Sequence, residues 1–138
     1  MTRLLALCSL CLLTHSVYPE NISFYKSQIS FLYLYFNHVN LIHEAWEKEI
    51  WTDEKAVKNL KTSLSLIQGR LQDYQKSKPH PRAKELHNSI KHCFHLSIQT
   101  TNLIISGLED KRKDWQSRYI PLKNKWQQRI LDLTEMEE

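Results

Sequence analysis

The spacing of apolar residues predicts α-helices over most of the chain. In the segment 52–78, apolar side chains recur at intervals of three and four residues, which places them along one side of a helix. Thr52 or Asp53 provides an N-cap, and Pro79 ends the segment, since a residue before proline is driven out of the α region. We expect this stripe to be core: Val57, Leu60, Leu64, Ile67, Leu71 and Tyr74.

Two later segments follow the same period. The third, about 82–107, has two adjoining apolar edges, and Gly107 fits the left-handed residue that often follows a helix. The last can be capped by Asp110 or Asp114, and its stripe runs in register past Pro121, so we predict one kinked helix and not two. The members of that stripe are Trp115, Tyr119, Leu122, Trp126, Ile130 and Leu133.

The first segment, about 20–50, is apolar or aromatic on nearly every side between Ile29 and Phe36. Taken alone, that run also fits a buried strand. A helical period continues beyond it, at Val39, Ile42, Trp46 and Ile50. We therefore interpret the segment as a helix, and a helix in a four-helix bundle buries only one side. The aromatic run should then be only partly covered by the other three helices.

The connections between these segments favour an all-α, up-down-up-down antiparallel four-helix bundle over residues 17–138. The links after the first and third segments are only a few residues long, and short links make consecutive helices antiparallel neighbours. The chain has only two glycines and four prolines, which is few for a sheet protein with many turns.

The first sixteen residues are typical of an export signal. Arg3 gives a positive start, Leu4–Leu13 is apolar, and Thr14 and Ser16 provide small residues before a cleavage site at Val17. This predicts a secreted or periplasmic protein, and the alternative is a retained N-terminal helix in a cytoplasmic protein. In an exported eukaryotic protein, the sequon at Asn21 would also be a candidate for glycosylation.

Charge and cysteine content narrow the function classes. The net charge is +4, and no segment is basic enough to require a polyanion. Basic residues do share one flank of the last helix beside Trp115 and Trp126, an arrangement that can bind single-stranded nucleic acid: Lys111, Arg118, Lys125 and Arg129. The same pattern is typical of a solvated flank, so we do not expect a nucleic acid partner. Cys93 is the single cysteine after the leader, which excludes a disulfide scaffold.

Two pairs of residues are candidates for chemistry. His92 and His95 lie one helical turn apart and could present two metal ligands, with Cys93 just off that side. The six residues from Arg82 to His87 have the Arg-x4-His spacing of HEPN ribonucleases, and this resemblance implies that Arg82 and His87 act together on a phosphodiester, typically across a dimer. No motif for a cofactor is present, and no glycine-rich phosphate loop or zinc-protease motif occurs.

The preferred interpretation is an exported, non-enzymatic helical-bundle protein that associates with a protein partner or with itself. Tyrosine and phenylalanine bury large areas at interfaces, so the aromatic first helix is the predicted contact surface. The predicted contact residues are Phe31, Tyr33, Tyr35 and Phe36, and a lipid surface is a further candidate partner. The alternatives are a metal or cofactor binder that uses His92 and His95, and a HEPN-like ribonuclease that uses Arg82 and His87.

Overall fold

The computed structural model describes the backbone of residues 2–112 and 114–136, and the side chains of the same ranges from Ile22 onward. Within these residues the chain forms four α-helices, one short 3₁₀ helix and no strand. The all-α, four-helix prediction is therefore confirmed. The predicted leader, 1–16, and the Asn21 sequon lie outside the described side chains. The helices are α1 (Thr2–Glu47), α2 (Asp53–Lys76), the 3₁₀ helix (Pro81–Ala83), α3 (Lys84–Glu109) and α4 (Trp115–Glu135).

Hydrogen bonds between side chains show that α1 and α2 run in opposite directions. The imidazole Nε2 of His38 lies 3.0 Å from the hydroxyl of Ser63. Ten residues earlier in α1, Gln28 accepts a hydrogen bond of 3.1 Å from the guanidinium of Arg70, which lies later in α2. Rising residue numbers in one helix therefore pair with falling numbers in the other.

The first helix also contacts both of the remaining helices. Tyr119 of α4 donates its hydroxyl proton to the amide oxygen of Asn40 at 3.1 Å. The hydroxyls of Tyr35 in α1 and Thr101 in α3 are 2.9 Å apart and buried. The α1 residues that meet α2, α3 and α4 share one broad side, so the opposite side of α1 faces solvent.

The stripes that the sequence predicts for α2 and α4 form the core, with one exception in each. Leu64 and Leu122 are only partly buried, whereas the other stripe residues are 9% exposed or less. Both exceptions line the same open groove between α2, α3 and α4. Periodicity assigns a residue to a stripe, but the neighbouring helices decide whether the edge of that stripe is covered.

The end of α3 differs from the sequence-based prediction. Gly107 does not follow the helix but lies inside it, because α3 continues to Glu109 and is capped by Asp110. A Cβ atom at position 107 would overlap the indole ring of Trp115. Gly107 is therefore explained by the close approach of α4 and not by a left-handed backbone.

The end of α1 also differs. The helix stops at Glu47, Glu49 takes a positive φ of 57°, and the side chain of Ile50 is 69% exposed, so Ile50 does not continue the apolar period. Thr52 caps α2 as predicted, since its hydroxyl accepts the backbone N–H of Lys55 at 3.3 Å.

The last helix is continuous through Pro121, as the uninterrupted stripe predicts. Asp114 occupies its N-cap position without a capping hydrogen bond from its side chain. Across the residues that the structure describes, no helix is both long enough and apolar enough for a membrane crossing.

Candidate interaction surface

The solvent-facing side of α1 carries large apolar side chains at mid-helix. Tyr33 is 49% exposed, and Leu34 and Leu41 are each 65% exposed. Leu34 and Leu41 are seven residues apart, two helical turns, so they lie on the same line along the helix. Leu66 of α2 is 61% exposed, and the antiparallel register of α1 and α2 places it level with Leu34. We call Tyr33, Leu34, Leu41 and Leu66 the apolar face.

This region of α1 is also free of formal charge. Residues 27–43 contain no Asp, Glu, Lys or Arg on any side, and the flanking charged residues are Lys26 and Glu44. A solvated helix usually places charged side chains opposite its core stripe, whereas the centres of protein interfaces are depleted of charge. The composition of this face therefore resembles an interface more than a solvated surface.

The structure separates the four contact residues that the sequence predicted. Tyr35 and Phe36 are 4% and 8% exposed and pack in the core, so they cannot reach a partner while the bundle is intact. Phe31 is half-buried beneath the guanidinium of Arg70, which lies 4.7 Å from the ring centre. Only Tyr33 points outward among the four. As predicted, the aromatic run is only partly covered by the rest of the bundle.

Sequence reasoning missed Leu34 and Leu41 because it weighted aromatic residues. A usable signal existed, since both leucines lie about half a turn from Leu32 and Val39, which are fully buried. If Leu32 and Val39 mark the centre of the buried side of the helix, Leu34 and Leu41 are predicted to face solvent.

The histidine pair has no third metal ligand grouped with it among the described residues. His92 and His95 are both exposed on α3, while Cys93 between them is buried, and burial raises the pKa of its thiol to about 12. A thiol must lose its proton to bind a metal. Among the described residues, no three His, Cys, Asp or Glu side chains are grouped so that they could hold an ion.

Arg82 and His87 lie in different surroundings. Arg82 is exposed on the 3₁₀ helix, whereas His87 is 7% exposed and stacks on Tyr74 with ring centres 4.6 Å apart. Burial and the nearby Lys91 lower the pKa of His87. A buried imidazole stacked in the core is poorly placed to contact a phosphodiester, so the geometry gives no support to a ribonuclease site.

The basic flank of α4 lacks the aromatic partners that the sequence suggested. Arg118 and Lys125 are exposed, but Trp115 and Trp126 are 5% and 0% exposed. Stacking on single-stranded bases requires accessible rings. The two tryptophans are core residues, so they are not available to stack on bases beside the positive charges.

The fold and the surface together define a small helical-bundle protein with an uncharged apolar face on its first helix. Comparisons with protein-family models, with curated proteins and with solved structures each found no match to this chain.

Proposed function

We propose that this protein is non-enzymatic and acts by association with a protein, either a partner or a second copy, through the apolar face of α1 and α2. The observation that carries the proposal is the pair Leu34 and Leu41, each 65% exposed within an uncharged stretch of helix. Among the described residues, the weak candidates for chemistry gain no support, since His87 is buried while Arg82 is exposed, and no group of three metal ligands is present.

The energetics favour a modest but specific contact. Burying a leucine side chain contributes about 1.5–3 kcal/mol, so covering two exposed leucines contributes part of the roughly 8 kcal/mol of a micromolar interface, and other covered side chains such as Tyr33 and Leu66 must add the rest. Tyr33 suits the edge of such an interface, because its ring buries apolar area while its hydroxyl stays hydrated. Single exposed apolar residues are common, but a cluster on one side of the molecule is typical of an interaction site.

The test replaces both leucines of α1 with glutamine, a good helix former that adds no charge. We expect Leu34→Gln/Leu41→Gln to weaken self-association, or binding of a co-purifying protein, at least about 10-fold. Sedimentation velocity over a range of concentrations measures self-association, and quantitative mass spectrometry of material captured from the native host measures a partner.

The matched control is Ile120→Gln/Leu131→Gln, which removes two exposed apolar side chains from α4. The control should leave association unchanged. If the wild type stays monomeric and captures nothing that depends on Leu34 and Leu41, or if both double variants lose association equally, the proposal is wrong.

We further propose that the chain is exported and that its mature form begins near Val17. The support is the charged start, the apolar run Leu4–Leu13 and the small residues Thr14 and Ser16. Intact-mass analysis of protein from the native host should show loss of the first sixteen residues. Finding the full chain with Met1 in place would contradict export by this signal.

A further inference from the structure

A groove runs along the side of the bundle between α2, α3 and α4. Its volume is about 790 Å³, and apolar side chains form its floor, chiefly Leu64, Leu103 and Leu122. All three are partly buried residues packed against the core, so they remain accessible from the groove. The α3 wall extends from Gln99 to Glu109, a length of about 15 Å, or roughly three helical turns.

Positive charge borders this groove on the α4 side. Arg118 and Lys125 both line it, seven residues apart on one side of the helix, and both are exposed. Within the part of the chain that the structure describes, neither side chain takes part in an ion pair. Lys61 on the α2 side forms an ion pair with Glu109, so that carboxylate is already neutralised. The unpaired charge of the groove is therefore positive.

The shape of the groove favours a peptide segment over a small molecule. Binding sites for small molecules usually enclose most of their ligand, whereas the polar residues of this rim, including Gln99, Asn102 and Ser106, are exposed. A nucleic acid would use Arg118 and Lys125 but not the leucine floor, and the nearby tryptophans are buried. An amphipathic helix matches both features, because it can lay apolar side chains on the floor while acidic side chains meet the rim.

We propose that this groove binds an acidic amphipathic helix of a protein partner. The leucines of the partner would cover Leu64, Leu103 and Leu122, and its carboxylates would lie against Arg118 and Lys125. Pairing of complementary charge at a rim guides orientation and speeds association, while the apolar floor supplies most of the affinity. This site is separate from the apolar face of α1. In this proposal, Arg118 and Lys125 of the basic flank of α4 bind the acidic side chains of the partner.

The experiment uses the full chain and three labelled peptides of about 14 residues that share one leucine stripe and carry glutamate, glutamine or lysine on the flanks. Fluorescence anisotropy gives each affinity. We expect the acidic peptide to bind at least about 10-fold more tightly than the neutral one, and more weakly as salt rises from about 0.05 to about 0.5 M, because exposed charges are screened.

Two double variants with the same change in net charge locate the site. Arg118→Glu/Lys125→Glu should weaken the acidic peptide about 10-fold or more, whereas Lys26→Glu/Lys78→Glu, on exposed positions away from the groove, should not. Leu122→Gln should weaken both the acidic and the neutral peptide by a factor that does not depend on salt. Circular dichroism confirms that each variant remains folded.

Several results would overturn the proposal. It fails if no peptide binds, if all three bind alike, or if both charge-reversal variants weaken binding equally. Tighter binding of a single-stranded oligothymidine of matched length would assign the flank to nucleic acid instead. Leu34→Gln/Leu41→Gln should bind the acidic peptide like the wild type, so this proposal and the proposed function succeed or fail separately.

Discussion

Replacing Trp126 with alanine should lower the free energy of unfolding by about 3–5 kcal/mol, the range for removing a fully buried large aromatic side chain. No part of Trp126 is exposed. Its ring meets Phe36 edge to face with centroids 4.8 Å apart and lies 6.0 Å from Tyr35, so the change removes the contact between α1 and α4 at its centre. Urea denaturation of the wild type and the variant measures the difference.

Two further substitutions show whether the loss depends on the buried position and on the size of the side chain. Trp51 is only half-buried in the link after α1, so Trp51→Ala should cost about 2 kcal/mol or less. Among the described residues, the indole N–H of Trp126 has no hydrogen-bond partner. Trp126→Phe removes that unsatisfied donor, which offsets part of the lost packing, so it should cost less than half as much as alanine. Equal losses at positions 51 and 126 would contradict the packing described for Trp126.

Three leucines of α2 should show a graded response to alanine. Leu60 is fully buried, Leu64 is partly buried at the groove, and Leu66 is 61% exposed. We expect Leu60→Ala to cost about 2–5 kcal/mol, Leu64→Ala less than about 2 kcal/mol, and Leu66→Ala within about 0.5 kcal/mol of the wild type. The chemical change is identical at each site, so only burial differs.

The same denaturation measurements test this series. Leu66→Ala is the internal control, because it makes the same change at a mostly exposed position of the same helix. Alanine and leucine are both good helix formers, so helix propensity adds little to the difference. If Leu64→Ala costs as much as Leu60→Ala, Leu64 is a core residue, as the sequence alone predicts. If Leu60→Ala costs under about 1 kcal/mol, Leu60 is not a core residue and the packing described for α2 is wrong.

Much of the fold could be predicted because helical periodicity is a local property. The stripes of α2 and α4 identify their buried residues, and the stripe in α4 predicts a single helix across Pro121. Coverage at the edge of a stripe is not local, because it depends on how deeply a neighbouring helix packs. Leu64 and Leu122 illustrate this limit: their spacing is that of core residues, but a groove leaves them accessible.

The surface could be predicted only in outline. The sequence shows that α1 has too many apolar residues for one buried side, and the structure agrees. Which of them face solvent depends on the rotation of α1 about its axis, and aromatic content does not determine that rotation. Tyr35 and Phe36 lie on the same side of the helix as Leu32 and Val39 and are buried in the core. Leu34 and Leu41 lie on the other side and are exposed.

The histidines show the same limit. His87, His92 and His95 are close in sequence, but five residues of helix turn His92 more than 100° away from His87. His87 therefore faces Tyr74 in the core while His92 and His95 face solvent. Clustering along the chain therefore did not bring His87 beside the other two histidines, because His87 faces the core, whereas His92 and His95 stay one helical turn apart on the solvent-facing side.

The hydrogen bond between Tyr119 and Asn40 has a consequence for the entropy of folding. It joins positions 79 residues apart, whereas consecutive helices meet across short links such as that between Glu47 and Asp53. The chain entropy lost on closing a loop grows with the logarithm of its length. Contacts between consecutive helices need only short loops to close, whereas the contacts of α1 with α3 and α4 each close a longer loop, and the logarithm keeps that excess to about 0.6 kcal/mol for each doubling of loop length.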